Sequence, residues 1–122
     1  MTRHRYAAHF LAVLLCFTVQ ATPVRTVDGD TFVVDAFIWL GLKSRETVRV
    51  LGVNTPEIHG ATKDAGMVSR QFTVDWLAQG DVTLTACSRD AFGRVLAVVS
   101  RGESNLGKEL ISNGLGVEYR RK

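Results

Sequence analysis

Apolar side chains in this sequence recur at two different periods, and the order of those periods limits the folds open to the chain. Alternate residues are apolar in five short segments, one of which carries Phe32, Val34, Ala36 and Ile38. This pattern is typical of strands with one buried face. Three such segments come first, and the other two follow a stretch with helical spacing. The chain is therefore predicted to be mainly β with a smaller α content.

The predicted strands occupy residues 24–27, 31–39, 47–53, 81–87 and 93–100. The predicted helix between the third and fourth strands has an apolar face formed by Ala65, Val68, Phe72 and Trp76. Gly80 is expected to end it. These bounds leave polar connections at residues 28–30 and 41–46.

Ser104 is expected to cap a second, short helix, which Gly114 ends. Five short antiparallel strands are too few for a sandwich, and a helix between the third and fourth fits a five-stranded OB-type Greek-key barrel with two helices. Because such barrels serve many activities, the function must be argued from particular residues.

The first 21 residues have the pattern of an export signal. Two arginines precede an apolar run over residues 10–19, which is followed by a small-residue exit at Ala21. The run is shorter than the roughly 18 residues that span a bilayer, so no stable membrane anchor is expected. We predict a signal peptide over residues 1–21 and a periplasmic or secreted domain over residues 22–122.

Loss of this leader changes what the composition implies. The chain has 15 basic and 12 acidic residues, and the leader contains two of the basic ones. The domain would then have 13 basic and 12 acidic residues, so its net charge is too small to attract phosphate. Any such attraction must come from locally placed cations. Cys16 would leave with the leader, and Leu15 before it disfavours lipidation. With Cys87 and His59 alone, a disulfide and a Cys/His zinc site are excluded, and a His59-based catalytic triad is disfavoured.

Two oxygen-rich turns are candidates for a metal site. Asp28, Gly29 and Asp30 form an acidic turn, while Asn54 and Thr55 follow the third strand. Because Ca²⁺ takes carboxylate, amide and carbonyl oxygens, we predict Asp30, Asn54 and Thr55 as its ligands. By itself the acidic turn is more simply explained as a hairpin connection. The spacing of an EF-hand is missing.

Three further side chains have the chemistry of phosphodiester cleavage. Arg49 lies on the third strand and Arg94 at the start of the fifth, and two guanidinium groups can stabilise charge that develops on a phosphate. Glu57 could act as a general base or order a water molecule. Taken singly, each arginine also fits a solvated strand face, and Glu57 fits an ordinary loop carboxylate.

The joint pattern is more specific than its parts. It consists of Val-Asp-Gly-Asp-Thr over residues 27–31, Arg-Val-Leu-Gly-Val-Asn-Thr-Pro-Glu over 49–57, Asp-Ala-Phe-Gly-Arg over 90–94 and Asn-Gly-Leu over 113–115. Together these segments resemble the staphylococcal (thermo)nuclease-like family over residues 24–119. The resemblance implies an OB-type barrel and an exported, Ca²⁺-dependent nuclease that cleaves DNA and RNA with little base preference. We expect a monomer.

The resemblance also implies roles for single residues. Asp30 matches a carboxylate metal ligand with Asp28 in support, Thr55 a carbonyl ligand, Glu57 the base, and Arg49 and Arg94 the phosphate-binding pair. Asp90 matches only as a turn residue.

This sequence departs from the family pattern at three positions. Asn54 stands where the family has a second metal-binding aspartate, Phe92 takes a place often filled by tyrosine, and Tyr119 matches a nucleotide-contacting tyrosine only across a gap. Asn54 favours an alternative, a catalytically degenerate OB-fold protein that binds nucleic acid without cutting it. A protein-interaction module is a third possibility, but it would make the arginine pair and the base a coincidence.

Overall fold

The computed structural model describes residues 16–120. Residues 1–15 of the predicted leader lie outside this part. The described strands are β1 Phe17–Asp28, β2 Thr31–Trp39, β3 Leu42–Val50, β4 Val53–Asn54, β5 Val82–Arg89, β6 Val95–Arg101, β7 Ser104–Asn105 and β8 Val117–Glu118. The helices are α1 Lys63–Leu77, preceded by a 3₁₀ turn at Gly60–Thr62, and α2 Leu106–Ser112. Neither α1 nor α2 is long and apolar enough to cross a bilayer.

Five long strands form a closed barrel, which confirms the predicted architecture. Neighbours in the order β3, β2, β1, β5 and β6 pair antiparallel. The barrel closes where β3 pairs with β6, from Val48 opposite Val95 to Val50 opposite Ala97. This closing pair is parallel, so the expectation of wholly antiparallel strands was wrong at that seam.

The core fills the barrel and the space under α2. Its fully buried members include Phe32, Val48, Val99, Leu106 and Leu110. The cap of α2 differs from the prediction: Asn105, and not Ser104, is the cap, and its side-chain oxygen accepts a hydrogen bond from the Lys108 N–H at 3.1 Å. Helix α2 packs against β6 and β4, and β4 leads directly into the candidate site.

The β2–β3 hairpin is tighter than the sequence suggested. β3 begins at Leu42 and not at Thr47, and the polar residues from Lys43 to Glu46 pair with β2 instead of forming a loop. Gly41 has a φ of 74°, a conformation that is unfavourable for other residues, and it allows the chain to reverse there. The two strands therefore pair over nearly their whole length.

Strand β1 begins within the predicted leader. Residues 17–21 pair with β5, Ala21 is fully buried, and Cys16 forms a disulfide with Cys87. The exclusion of a disulfide was therefore wrong, because it removed Cys16 with the leader. Cleavage after Ala21 stays a prediction. It would remove Cys16 and every residue of β1 that pairs with β5.

Candidate active site

The two oxygen-rich turns predicted from the sequence lie in contact. The buried Asp30 carboxylate accepts a hydrogen bond at Oδ2 from the Thr55 N–H at 2.9 Å and one at Oδ1 from the Thr31 hydroxyl at 3.0 Å. The Asp30 N–H in turn donates to Asp28 Oδ1 at 3.2 Å. The tertiary fold thus joins the β1–β2 turn to the segment after β4.

The Asp28 and Asp30 carboxyls titrate as an unequal pair. Burial, reinforced by the neighbouring Asp30, raises the pKa of Asp28 to about 6. Burial would also raise the pKa of Asp30, but hydrogen bonds from Asp28 and the Thr55 N–H, with the charge of Arg49, outweigh it and lower that pKa. Asp30 is therefore the first of the two to ionise.

Helix α1 supports the acidic turn with a face that periodicity did not predict. Ala65 and Val68, expected to be buried, are exposed, whereas Ser69 and Thr73 are buried. The Thr73 hydroxyl donates to the Gly29 carbonyl at 2.7 Å. A hydrophobic pattern counts apolar residues only. It therefore misses a helix face whose buried hydroxyl groups form hydrogen bonds with the backbone of a neighbouring turn.

Two contacts hold α1 against the acidic turn and against the loop that carries Glu57. The Arg70 guanidinium donates to the carbonyl oxygens of Thr26 at 3.0 Å and Val27 at 3.3 Å, just before the acidic turn. Gly66 faces the Glu57 carbonyl so closely that a Cβ at this position would collide with it. The loop that carries Glu57 is thus packed directly on the helix.

Arg49 lies between the two turns. Its Nη1 donates to the carbonyl oxygens of Val50 at 2.9 Å and Val53 at 2.7 Å. Its Nη2 donates to Asn54 Oδ1 at 2.7 Å and lies 3.4 Å from Asp30 Oδ2. These contacts hold the guanidinium in one orientation, and both of its terminal nitrogens already donate to protein oxygens.

Asp90, which the sequence argument treated only as a turn residue, orients Arg94. Its Oδ2 accepts from Arg94 Nε at 2.7 Å, and its Oδ1 accepts from the N–H groups of Phe92 and Arg94, both at 2.9 Å. Within residues 16–120, the Nη1 and Nη2 groups of Arg94 donate to no protein acceptor. The spacing of four residues across a glycine turn was the signal that could have revealed this pair.

Both arginines line one cleft of about 280 Å³. Asn54, Phe92 and Tyr119 also line it, and the Tyr119 ring centre lies 6.0 Å from the Arg49 guanidinium carbon. Asp30 and Thr55 are buried behind Arg49. Glu57 is exposed on its loop and does not line the cleft. The fold thus brings together all the predicted site residues except Glu57, which lies next to them in the chain.

The side chains of Asp30, Asn54 and Thr55 offer the oxygen atoms that a hard cation prefers, but only one of the three carries a negative charge. Thr55 Oγ1 is buried without a hydrogen-bond partner, beside the ionised Asp30. Such an orphaned oxygen is costly unless something binds to it. No three His, Cys, Asp or Glu side chains within residues 16–120 cluster in a way that could hold a metal. A neutral oxygen from Asn54 would have to complete the set, and in this structure it accepts from Arg49.

The fold and the cleft define a small OB-type barrel with paired guanidinium groups beside a buried carboxylate. Comparison with known proteins agrees with this description. The family model for staphylococcal nuclease homologues matches residues 47–122, which include both arginines and Glu57 but not the acidic turn. The chain belongs to the staphylococcal nuclease homologue family.

One relative illustrates the extent of the similarity. The chain is 30% identical over 97 residues to the thermonuclease of Staphylococcus hyicus. The match covers 75% of this chain and 54% of that protein, so the chain spans about half the length of its relative.

Proposed function

We propose that this protein is an exported nuclease that hydrolyses phosphodiester bonds of DNA and RNA with Ca²⁺ as its cofactor. The observation that carries the proposal is the convergence of Arg49 and Arg94 on one cleft beside the buried Asp30. Membership of the nuclease family, and similarity to a protein named thermonuclease, support it.

Arg49 on β3 and Arg94 in the turn directly before β6 would bind the phosphate together. Arg94 is held at Nε by Asp90, so both of its terminal nitrogens can donate to phosphate oxygens. Arg49 is held by backbone carbonyls and lines the same cleft, and a phosphate would take up the Nη2 donor that Asn54 now accepts. Donors that are already oriented lose little freedom when charge develops on the phosphate, so they stabilise the transition state more than the substrate.

Asp30, Asn54 and Thr55 are the residues that would hold the metal ion. When bound, Ca²⁺ supplies positive charge next to the phosphate oxygens. Glu57 would accept a proton from the water whose oxygen forms the new bond to phosphorus, while the phosphorus–oxygen ester bond breaks and the departing ester oxygen takes a proton from solvent. Glu57 does not line the cleft in this structure, so its carboxylate would have to reach that water from the adjoining loop.

A plasmid-cleavage assay with Ca²⁺ or with EGTA tests the activity. Arg94→Ala should lower turnover by about a hundredfold, as loss of one transition-state donor does. Arg25→Ala, an exposed arginine on β1, is the matched control and should leave turnover unchanged. Absence of cleavage with Ca²⁺ would refute the proposal, and equal losses in the two variants would remove Arg94 from the site.

The second candidate is a protein that binds nucleic acid without cleaving it. The hydrogen bond from Arg49 to Asn54 favours it, because a neutral residue there leaves the metal site short of charge. Under this alternative the protein would shift DNA in a gel in a salt-dependent manner, with no cleavage at any Ca²⁺ concentration.

Export to the periplasm or the medium, as a monomer, is part of the proposal. The leader pattern supports export. A start at Thr22 would exclude the bond between Cys16 and Cys87, whereas a start before Cys16 would keep it, as suits an oxidising compartment. Intact-mass measurement of the protein recovered outside the cytoplasm should show a start at Thr22. A start before Cys16 would overturn that boundary but keep export, whereas recovery in the cytoplasm alone would overturn export.

A further inference from the structure

An exposed apolar surface lies at the end of the barrel where the β2–β3 hairpin turns. Trp39 is 75% exposed and Leu40 is 90% exposed, although tryptophan and leucine are seldom left in water to that extent. Ile38, Leu42 and Phe17 are each more than half exposed beside them. These five residues are called the apolar tip below.

The apolar tip is remote from the candidate active site. At one end of the β2–β3 hairpin, Thr31 pairs with Arg49 next to the cleft; at the other, Trp39 pairs with Leu42. With a rise of about 3.3 Å per residue, the nine residues of β2 separate these ends by roughly 26 Å. The tip therefore plays no part in forming the cleft.

A second cavity opens beside the tip. It has a volume of about 340 Å³, and Phe17, Ile38, Leu84 and Ala86 form apolar parts of its wall. Cys87, bonded to Cys16, also lines it. Tip and cavity form one apolar end of the barrel.

The charges around this end are positive or neutralised. Lys43 is the single charged residue between positions 36 and 44. The nearest carboxylates are both paired, Asp35 with Arg45 at 2.9 Å and Glu46 with Arg89 at 2.8 Å. The rim thus offers a cation without an unpaired carboxylate, which complements a negatively charged surface.

We propose that the apolar tip docks on a lipid bilayer with anionic headgroups. Aromatic and aliphatic side chains on a projecting turn can enter the boundary between headgroups and acyl chains, while Lys43 stays at the lipid phosphates. A second copy of the chain would bring an equal cationic rim against this one, which disfavours self-association. The inference does not depend on the proposed nuclease activity.

The remaining chain is consistent with this orientation. Residues 1–15 join the domain at Cys16, at the same end as the tip, and they include Arg3 and Arg5 but no acidic residue. Cleavage after Ala21 would remove these residues together with Phe17 and leave the other four tip residues in place. The cleft at the far end of β2 would remain open to soluble nucleic acid.

Fluorescence of Trp39 tests the proposal directly. The chain has two tryptophans, and the buried Trp76 provides a constant background. Full-length protein mixed with phosphatidylglycerol-containing vesicles should show a blue-shifted emission and should sediment with them. With pure phosphatidylcholine vesicles both effects should be weaker, because Lys43 then lacks an anionic surface.

Three variants sharpen the test. Leu40→Ser should lower the vesicle partition coefficient by about tenfold or more, since it removes one inserted aliphatic side chain. Lys43→Gln should weaken the preference for anionic vesicles. Val68→Ser, at an exposed position on α1 away from the tip, should change neither. Equal melting temperatures of the variants would show that a lower partition coefficient is not the result of unfolding.

Each contrary result overturns the proposal. No blue shift with any vesicle, or equal partitioning of Leu40→Ser and the unaltered protein, would remove lipid as the partner. Self-association in lipid-free buffer that Leu40→Ser abolishes would assign the tip to a second copy. If Leu40→Ser fails to fold, brominated anionic lipid provides the decisive measurement, because failure to quench Trp39 in the unaltered protein refutes insertion.

Discussion

Replacing Asn54 by aspartate should strengthen the Ca²⁺ site. In the structure, Asn54 Oδ1 accepts a 2.7 Å hydrogen bond from Arg49 Nη2, and this nitrogen also lies 3.4 Å from Asp30 Oδ2. An aspartate in place of Asn54 would therefore face a cation in the metal-free protein. The Arg49 charge would offset much of its repulsion with Asp30, so we expect only a small loss of metal-free stability.

The size of the gain follows from the added charge. Two unit charges about 4 Å apart interact with about 1 kcal/mol in water, so a carboxylate and a divalent ion gain about twice that. The charge pair that the new carboxylate makes with Arg49 must be weakened when the metal binds, which reduces the gain. The net improvement that remains is about 1.4 kcal/mol, or tenfold in Kd.

Calorimetric titration with Ca²⁺ measures the affinity, and melting temperatures with and without Ca²⁺ measure the linked stabilisation. Asn105→Asp is the matched control, because it adds the same charge at the cap of α2, where aspartate caps as well as asparagine. Asn54→Asp should bind Ca²⁺ more tightly and cleave DNA at lower Ca²⁺. Equal affinity of the Asn54→Asp and Asn105→Asp proteins would show that Asn54 is not a metal ligand.

Three other substitutions test how the site is held. Asp90→Asn should lower kcat with little change in melting temperature, because it loosens Arg94 at Nε; an unchanged kcat would remove Asp90 from the positioning of Arg94. Gly66→Ala should lower the free energy of unfolding by about 1–3 kcal/mol through collision with the Glu57 carbonyl, and an unchanged denaturant midpoint would contradict the close approach. In protein that retains Cys16, Cys87→Ser should lower stability by about 2–4 kcal/mol, because the bond closes a loop of 71 residues, and dithiothreitol should then destabilise only the unaltered protein.

Local patterns accounted for the parts of the fold that depend on neighbours in sequence. Alternation identified β2, whose Phe32 and Val34 are buried as expected. It did not predict that Val33 is buried as well or that Ile38 is exposed. Helical spacing found α1 but selected Val68 for its buried face. The buried face instead carries Thr73, whose hydroxyl donates to the acidic turn at the Gly29 carbonyl. It also carries Ser69, whose hydroxyl donates to the Leu115 carbonyl after α2.

The amino-acid sequence by itself determined the barrel class and the residues with the chemistry of a nuclease, because periodicity and short motifs are local properties. Only the tertiary structure decided that Arg49 lies between Asp30 and Asn54, and that Asp90 orients Arg94. It also decided the Cys16–Cys87 bond. Of these, the Asp30 contact and the disulfide join segments far apart in the chain, and such contacts depend on how the strands close into a barrel, which no local pattern records.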